Sequence, residues 1–170
     1  MEIKILKFAM YDKNQEEREN ISSVILTFYI DKDMQAEIVQ FENTESLIEA
    51  FRQSSFTAVF IFMDSMDEVD TAWIIKKIAP QCPLIIMSDS GDYSMEGYRL
   101  EAFDYWLTPP DATKMRETMS RLSRLLEERS RGDNRMLYIG ELEGVTAAGL
   151  TPEDVPSRKK ETQGSGSPVL

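Results

Sequence analysis

The sequence predicts an α/β fold: a doubly wound, five-stranded parallel sheet followed by a flexible C-terminal tail. Two observations carry that expectation. Over the first 130 residues, short apolar runs alternate five times with stretches whose apolar residues recur at helical spacing. Five β–α units in a row, joined by right-handed crossovers, form a parallel sheet with helices on both faces. The glycines then mark where this pattern stops, because only Gly91 and Gly97 of the eight precede Gly132.

Each element has a local reason. Ile3–Met10 is short, apolar and rich in β-branched and aromatic residues, as a first strand should be. Ile21, Val24, Ile25 and Phe28 then fall on one helical face. Ala36–Phe41 reads as the second strand, and Leu47, Ile48 and Phe51 mark the next helix, with Asn43 or Thr44 as its N-cap. Thr57–Met63 is almost continuously apolar, the signature of a strand covered on both faces. Val69–Ile78 is helical, with Ala72, Ile75 and Trp73 candidates for its inner face, and Asp67 near its start favours the helix dipole. Pro83–Ser88, Tyr93–Leu100 and Asp104–Leu107 supply the fourth strand, a weaker helix and the short fifth strand. Asp111–Arg131 closes the domain: Met115, Met119, Leu122 and Leu126 form a stripe read as core packing, with Asp111 or Thr113 as its cap.

Composition narrows the chemistry. The 170 residues contain no His and one Cys, Cys82. That excludes His–metal sites, His-dependent triads, an intrachain disulfide and a thiolate zinc cluster. With 30 acidic residues against 19 basic, the net charge of −11 argues against a broad phosphate-binding surface. Residues 1–131 carry −9 of it, from 15 basic and 24 acidic side chains. No apolar run approaches the roughly 18 residues of a spanning helix, and no signal segment opens the chain, so the expected location is cytoplasmic, with no membrane contact. In a doubly wound sheet a site lies beyond the carboxyl ends of the strands. The residues to examine are therefore Tyr11-Asp12-Lys13, Phe62-Met63-Asp64, Ser88-Asp89 and Thr108-Pro109-Pro110.

The segment Glu101-Ala102-Phe103-Asp104-Tyr105-Trp106-Leu107-Thr108-Pro109 resembles the E-A-F-D-Y-L-x-K-P of response-regulator receiver domains. Receivers that precede LytTR-type DNA-binding domains are the nearest in pattern. Asp12-Lys13-Asn14, Met66-Asp67-Glu68-Val69-Asp70-Thr71-Ala72 and Tyr93-x-x-Glu96-Gly97-Tyr98 extend the resemblance over residues 1–130. It implies a flavodoxin-like receiver fold and a phospho-switch in two-component (phosphorelay) signal transduction. In that family an Asp ending the third strand is the nucleophile, and two acids after the first strand hold Mg²⁺. A Lys after the fifth strand pairs with the acyl phosphate, and a hydroxyl after the fourth bonds to it. Neutralising cations are needed because a carboxylate attacks an already anionic phosphoryl group.

This chain departs from that set. The nucleophile position falls on Phe62, the acid pair is reduced to Asp12 because Lys13 stands beside it, and Thr108 replaces the Lys. Ser88, the hydroxyl, and Tyr105, the rotating aromatic, are retained. The resemblance thus implies a degenerate pseudo-receiver, non-enzymatic, acting by protein–protein contact without phosphorylation, and needing no cofactor. The alternative is a working phosphoacceptor that uses Asp64, two residues past Phe62, with Mg²⁺ at Asp12. Lys13 is expected to be a solvated loop residue, the other reading being an ammonium in the place of Mg²⁺ near Asp12 and Asp64. Phe62 is expected to cap the former pocket.

Residues 131–135 read as a linker. Residues 136–155, with Met136–Ile139 and Leu150–Val155 as apolar segments, weakly resemble the opening hairpin of a LytTR domain, and 156–170 read as a disordered tail. A lone hairpin is marginal in water and no basic element follows it, so no independent DNA binding is expected. A truncated or decayed LytTR-type regulator is the further alternative. The partners implied are another receiver, a histidine kinase, or a second copy in a dimer, met on the fourth helix, fifth strand and fifth helix.

Overall fold

A computed structural model describes residues 4–143, with side chains through residue 132. The elements follow in strict alternation: β1 (Ile5–Tyr11), α1 (Gln15–Asp31), β2 (Gln35–Phe41), α2 (Thr44–Gln53), β3 (Ala58–Phe62), α3 (Met66–Ile78), β4 (Leu84–Ser88), α4 (Ser94–Arg99), β5 (Asp104–Leu107) and α5 (Ala112–Glu143). All strand pairs are parallel and the sheet order is β2-β1-β3-β4-β5. The five-stranded doubly wound sheet expected from the sequence is therefore the observed one, with the order of flavodoxin-like folds.

Burial explains the strand patterns. Every residue of β3 and β4 is buried, so neither alternates with polar residues. β2, at an edge, is only half covered. One face of the sheet buries Ala9, Tyr11, Val59, Ile61, Leu84 and Ile86 with Leu47 and Phe51 of α2 and Val69, Ala72 and Ile75 of α3. On the alternate positions Phe8 stacks on Tyr29 of α1 at 5.4 Å, and Phe60 meets Trp106 at 5.5 Å. Each such aromatic, fully buried, contributes about 1.5–3 kcal/mol by removal from water.

The helix starts are set by small polar residues. Asn14 accepts from the Glu17 amide (2.9 Å), Asn43 from the Ser46 amide (2.8 Å) and Asp111 from the Lys114 amide (2.7 Å). These settle the choice of caps in favour of Asn43 and Asp111. Trp73 departs from expectation. It is 41% exposed, because α3 buries Val69, Ala72 and Ile75 and turns the next position outward. α5 also runs through 131–135, where a linker was expected, and over Met136–Ile139, where a strand was expected. A single helix-interior Gly132 costs only about 1 kcal/mol, and the flanking Arg, Glu, Leu and Met residues are strong helix formers. The remainder of the hairpin reading and the tail, residues 144–170, lie outside the described residues. Among the described residues no helix is long and apolar enough to cross a membrane.

Candidate functional site at the carboxyl edge of the sheet

The strand ends bring the sequence-selected residues to one edge. β1 ends at Tyr11 and delivers Asp12, which is 1% exposed. One carboxylate oxygen of Asp12, Oδ1, accepts from the Asn14 amide at 2.9 Å, while Oδ2 is buried with no hydrogen-bond donor. Glu17, in the first turn of α1, lies beside it. Burial, together with the neighbouring Asp12 carboxylate, pushes the Glu17 carboxyl up to about 7. Glu17 and Asp12 are thus two acids in hydrogen-bonding proximity, and the pair favours a proton on Glu17. Arg18 is 7% exposed on the same helix; its guanidinium donates to the Asp12 carbonyl (2.7 Å) and to Gln40 Oε1 (2.9 Å).

β3 ends on Phe62, which is 9% exposed and lies in register with Met87 of β4. Its side chain is largely buried. Met63 still donates to the Met87 carbonyl (2.7 Å), but Asp64 has left the ladder and its amide turns to Glu68. The Asp64 carboxylate is held by Lys13: Nζ lies 3.2 Å from Oδ1 and 2.9 Å from Oδ2. The hydrogen bond and charge of Asp64 raise Lys13, and the Lys13 ammonium in turn holds the Asp64 carboxyl below its ordinary value. Lys13 is exposed to solvent, and its ammonium is at the same time paired with Asp64.

Glu68 organises the loop between β3 and α3. Although only 4% exposed, its Oε1 accepts from the Asp64 amide (3.1 Å), the Ser65 amide (2.8 Å) and the Ser65 hydroxyl (2.8 Å). Its Oε2 accepts from the Tyr11 hydroxyl (3.3 Å). Burial, with the Glu68 carboxylate beside it, pushes the Tyr11 hydroxyl up to about 12. The sequence reading passed over both Glu68 and Arg18. The signal for Glu68 was available, since Ser65-x-x-Glu68 is a capping box. Arg18 carries no comparable signature.

The other side of the edge holds the retained residues. Ser88 is fully buried at the end of β4, and its hydroxyl accepts from the Ser90 amide at 3.4 Å. Thr108 follows β5, is tied by its amide to the Ser88 carbonyl (2.8 Å), and precedes a cis peptide bond to Pro109. Its side chain carries a hydroxyl and no charge. Tyr105 lies inward: its hydroxyl donates to the Ser90 carbonyl (2.7 Å) and accepts from the Tyr93 amide (3.3 Å). Gly97 packs closely here, since a Cβ there would stand 3.2 Å from the Ile86 side chain and in ordinary contact, 3.5 Å, with Tyr105. Behind β5, Trp106 Nε1 donates to the Thr118 hydroxyl (2.9 Å), which itself donates to Asp104. Burial pushes the Asp104 carboxyl up, but the Thr118 hydroxyl, the Tyr105 amide and Lys114 outweigh it and hold it below the ordinary range.

The α4–β5 face next to this edge carries a groove of about 390 Å³ lined by Gly97, Tyr98, Phe103 and Tyr105. Tyr98 is 81% exposed, and Met95 and Leu107 are also exposed. The donor set at the edge does not fit a divalent ion. Phe62 brings no oxygen, Lys13 places an ammonium on Asp64, and among the described residues no three carboxylates are grouped as ligands.

Comparison with solved structures places this fold among receiver domains. The response regulatory domain of protein mrkE from Klebsiella pneumoniae superposes with a TM-score of 0.65 at 22% identity, over 72% of this chain and 99% of that one. A response-regulator receiver domain from Clostridium thermocellum gives 0.60 at 20% identity, over 71% and 98%. A CheY-like receiver domain from Methanospirillum hungatei gives 0.60 at 12% identity, over 74% and 99%. The fold is that of a receiver domain. No family model matches the chain, and no curated protein matches it.

Proposed function

We propose that this chain is a receiver-like module of two-component signal transduction that works by protein–protein contact and independently of phosphorylation. The observation that carries the reading is the end of β3. The residue there is a buried Phe62 with no nucleophilic atom, and the nearest carboxylate, Asp64, is engaged by Lys13. Thr108 adds to it, because a hydroxyl cannot neutralise an acyl phosphate as an ammonium does. Tyr105 meanwhile holds its inward position through Ser90 and Tyr93, using only groups of the protein. On this reading the module is not an enzyme, requires no cofactor and does not bind DNA by itself. Its contact surface is α4 and β5 with the start of α5, where Met95, Tyr98 and Leu107 are exposed. The partner is another receiver, a histidine kinase or a second copy of the chain.

The test is incubation of the full chain with a small acyl-phosphate donor and Mg²⁺, followed by intact-mass measurement. The expected result is no phosphoryl adduct. An acid-labile gain of one phosphoryl group that disappears in Asp64→Asn would replace this reading with that of a working phosphoacceptor.

A further inference from the structure

We propose that the tethered ammonium of Lys13 takes the place of a divalent cation at this edge, so that the chain carries its own cation and has no use for Mg²⁺. The argument begins with position. Lys13 directly follows the buried Asp12, and its Nζ crosses to both oxygens of Asp64, at 3.2 and 2.9 Å. It thereby joins the β1–α1 loop to the β3–α3 loop, the two segments that a metal at the carboxyl edge would bridge. Its electrostatic neighbours are all acidic: Asp64, Glu68 and Asp12. One fixed positive charge among three carboxylates satisfies part of their mutual repulsion without requiring any of them to surrender its other bonds. Glu68 keeps its four donors and Asp12 Oδ1 keeps the Asn14 amide.

Mg²⁺ makes stricter demands. It needs oxygen ligands in near-octahedral geometry at about 2.0–2.1 Å and dehydrates reluctantly. Here the oxygens of Asp64 already face an ammonium, and a metal approaching Asp12 would meet the same positive charge. Removing that charge releases the Asp64 carboxylate at the edge that also holds the buried Asp12 carboxylate. One or two carboxylates completed by water are enough for a weak Mg²⁺ site.

The inference deepens the phosphate-independent reading and rests on it for its meaning, but the two are tested separately. Thermal melts and the amide resonances of Asp64 and Ser65 would be followed in the full chain with about 10 mM MgCl₂ against NaCl of equal ionic strength. Wild type should show no Mg²⁺-specific change. Lys13→Ala should melt about 2–4 °C lower, and Mg²⁺ but not NaCl should recover at least half of that loss. The double variant Lys13→Ala/Asp64→Asn should show no recovery. A Mg²⁺-specific rise in wild type overturns the proposal, as does a Lys13→Ala protein that is indifferent to Mg²⁺ in both readouts. Recovery that persists without Asp64 overturns its assignment to this pair. None of these outcomes involves a phosphodonor, so failure here leaves the adduct measurement to stand or fall alone.

Discussion

Replacing Glu68 with Ala tests whether one buried carboxylate sets the β3–α3 loop. The side chain accepts four donors, and they are not equivalent. The Asp64 and Ser65 amides are only partly buried, so water can take over much of what they lose. Removing the capping-box carboxylate costs about 1 kcal/mol. The Tyr11 hydroxyl is different: it is buried, and leaving it without a partner costs about 1–3 kcal/mol. The expected loss is therefore about 2–4 kcal/mol, or a Tm lower by roughly 10 °C for a domain of this size. Glu68→Gln keeps an acceptor in place and should lose only about 1 kcal/mol. Urea melts of Glu68→Ala, Tyr11→Phe and the double variant form a cycle. The double variant should be about 1 kcal/mol more stable than additivity predicts, because Tyr11→Phe removes the stranded hydroxyl. A loss below about 0.5 kcal/mol in Glu68→Ala, or strict additivity, refutes the role given to Glu68.

Three further outcomes are expected. Thr118→Val should cost about 1–3 kcal/mol by chemical denaturation, since it strands the buried Trp106 indole N–H and removes a donor to Asp104. Glu17 has its carboxyl raised to about 7, so the folded state favours its protonated form. That contribution is complete below the ordinary value of 4.5 and is lost as pH rises through about 7. Glu17→Gln, which keeps a neutral donor beside Asp12, should match wild type at acid pH and melt higher at about pH 8; equal melting at both pH values would contradict the shared proton. Tyr98→Ala should leave the melt within about 0.5 kcal/mol of wild type, because the side chain is 81% exposed, and should weaken self-association or partner capture at the α4–β5 face. Unchanged association would move the contact surface elsewhere.

The strands were legible because β3 and β4, for instance, are covered on both faces and read as unbroken apolar runs. Asp12, Phe62, Ser88 and Thr108 could be placed at one edge for the same reason: parallel topology alone puts successive strand ends together. What escaped did so for different reasons. Trp73 lies one position from the buried Ala72, and a helical stripe read from spacing alone cannot say where the stripe ends. Glu68 and Arg18 are charged residues in the first turns of helices, positions that usually face water. Their burial follows from Tyr11, Gln40 and the Asp12 carbonyl, and none of these is near in sequence to Glu68. The approach of Lys13 to Asp64 spans 51 positions, so whether its ammonium was attached could not be decided from its neighbours.

Gly97 gives this edge a handle that leaves its polar groups untouched. A methyl group there would crowd the side chain of Ile86, at 3.2 Å, and touch the ring of Tyr105 at an ordinary contact distance of 3.5 Å. The Ile86 contact is the tight one, so its side-chain end has to give by a few tenths of an ångström first. Side chains larger than Ala at this one position would reach past Ile86 to the Tyr105 ring. They would loosen the Tyr105 hydroxyl from Ser90 and Tyr93 by degrees while every charge at the strand ends stayed in place.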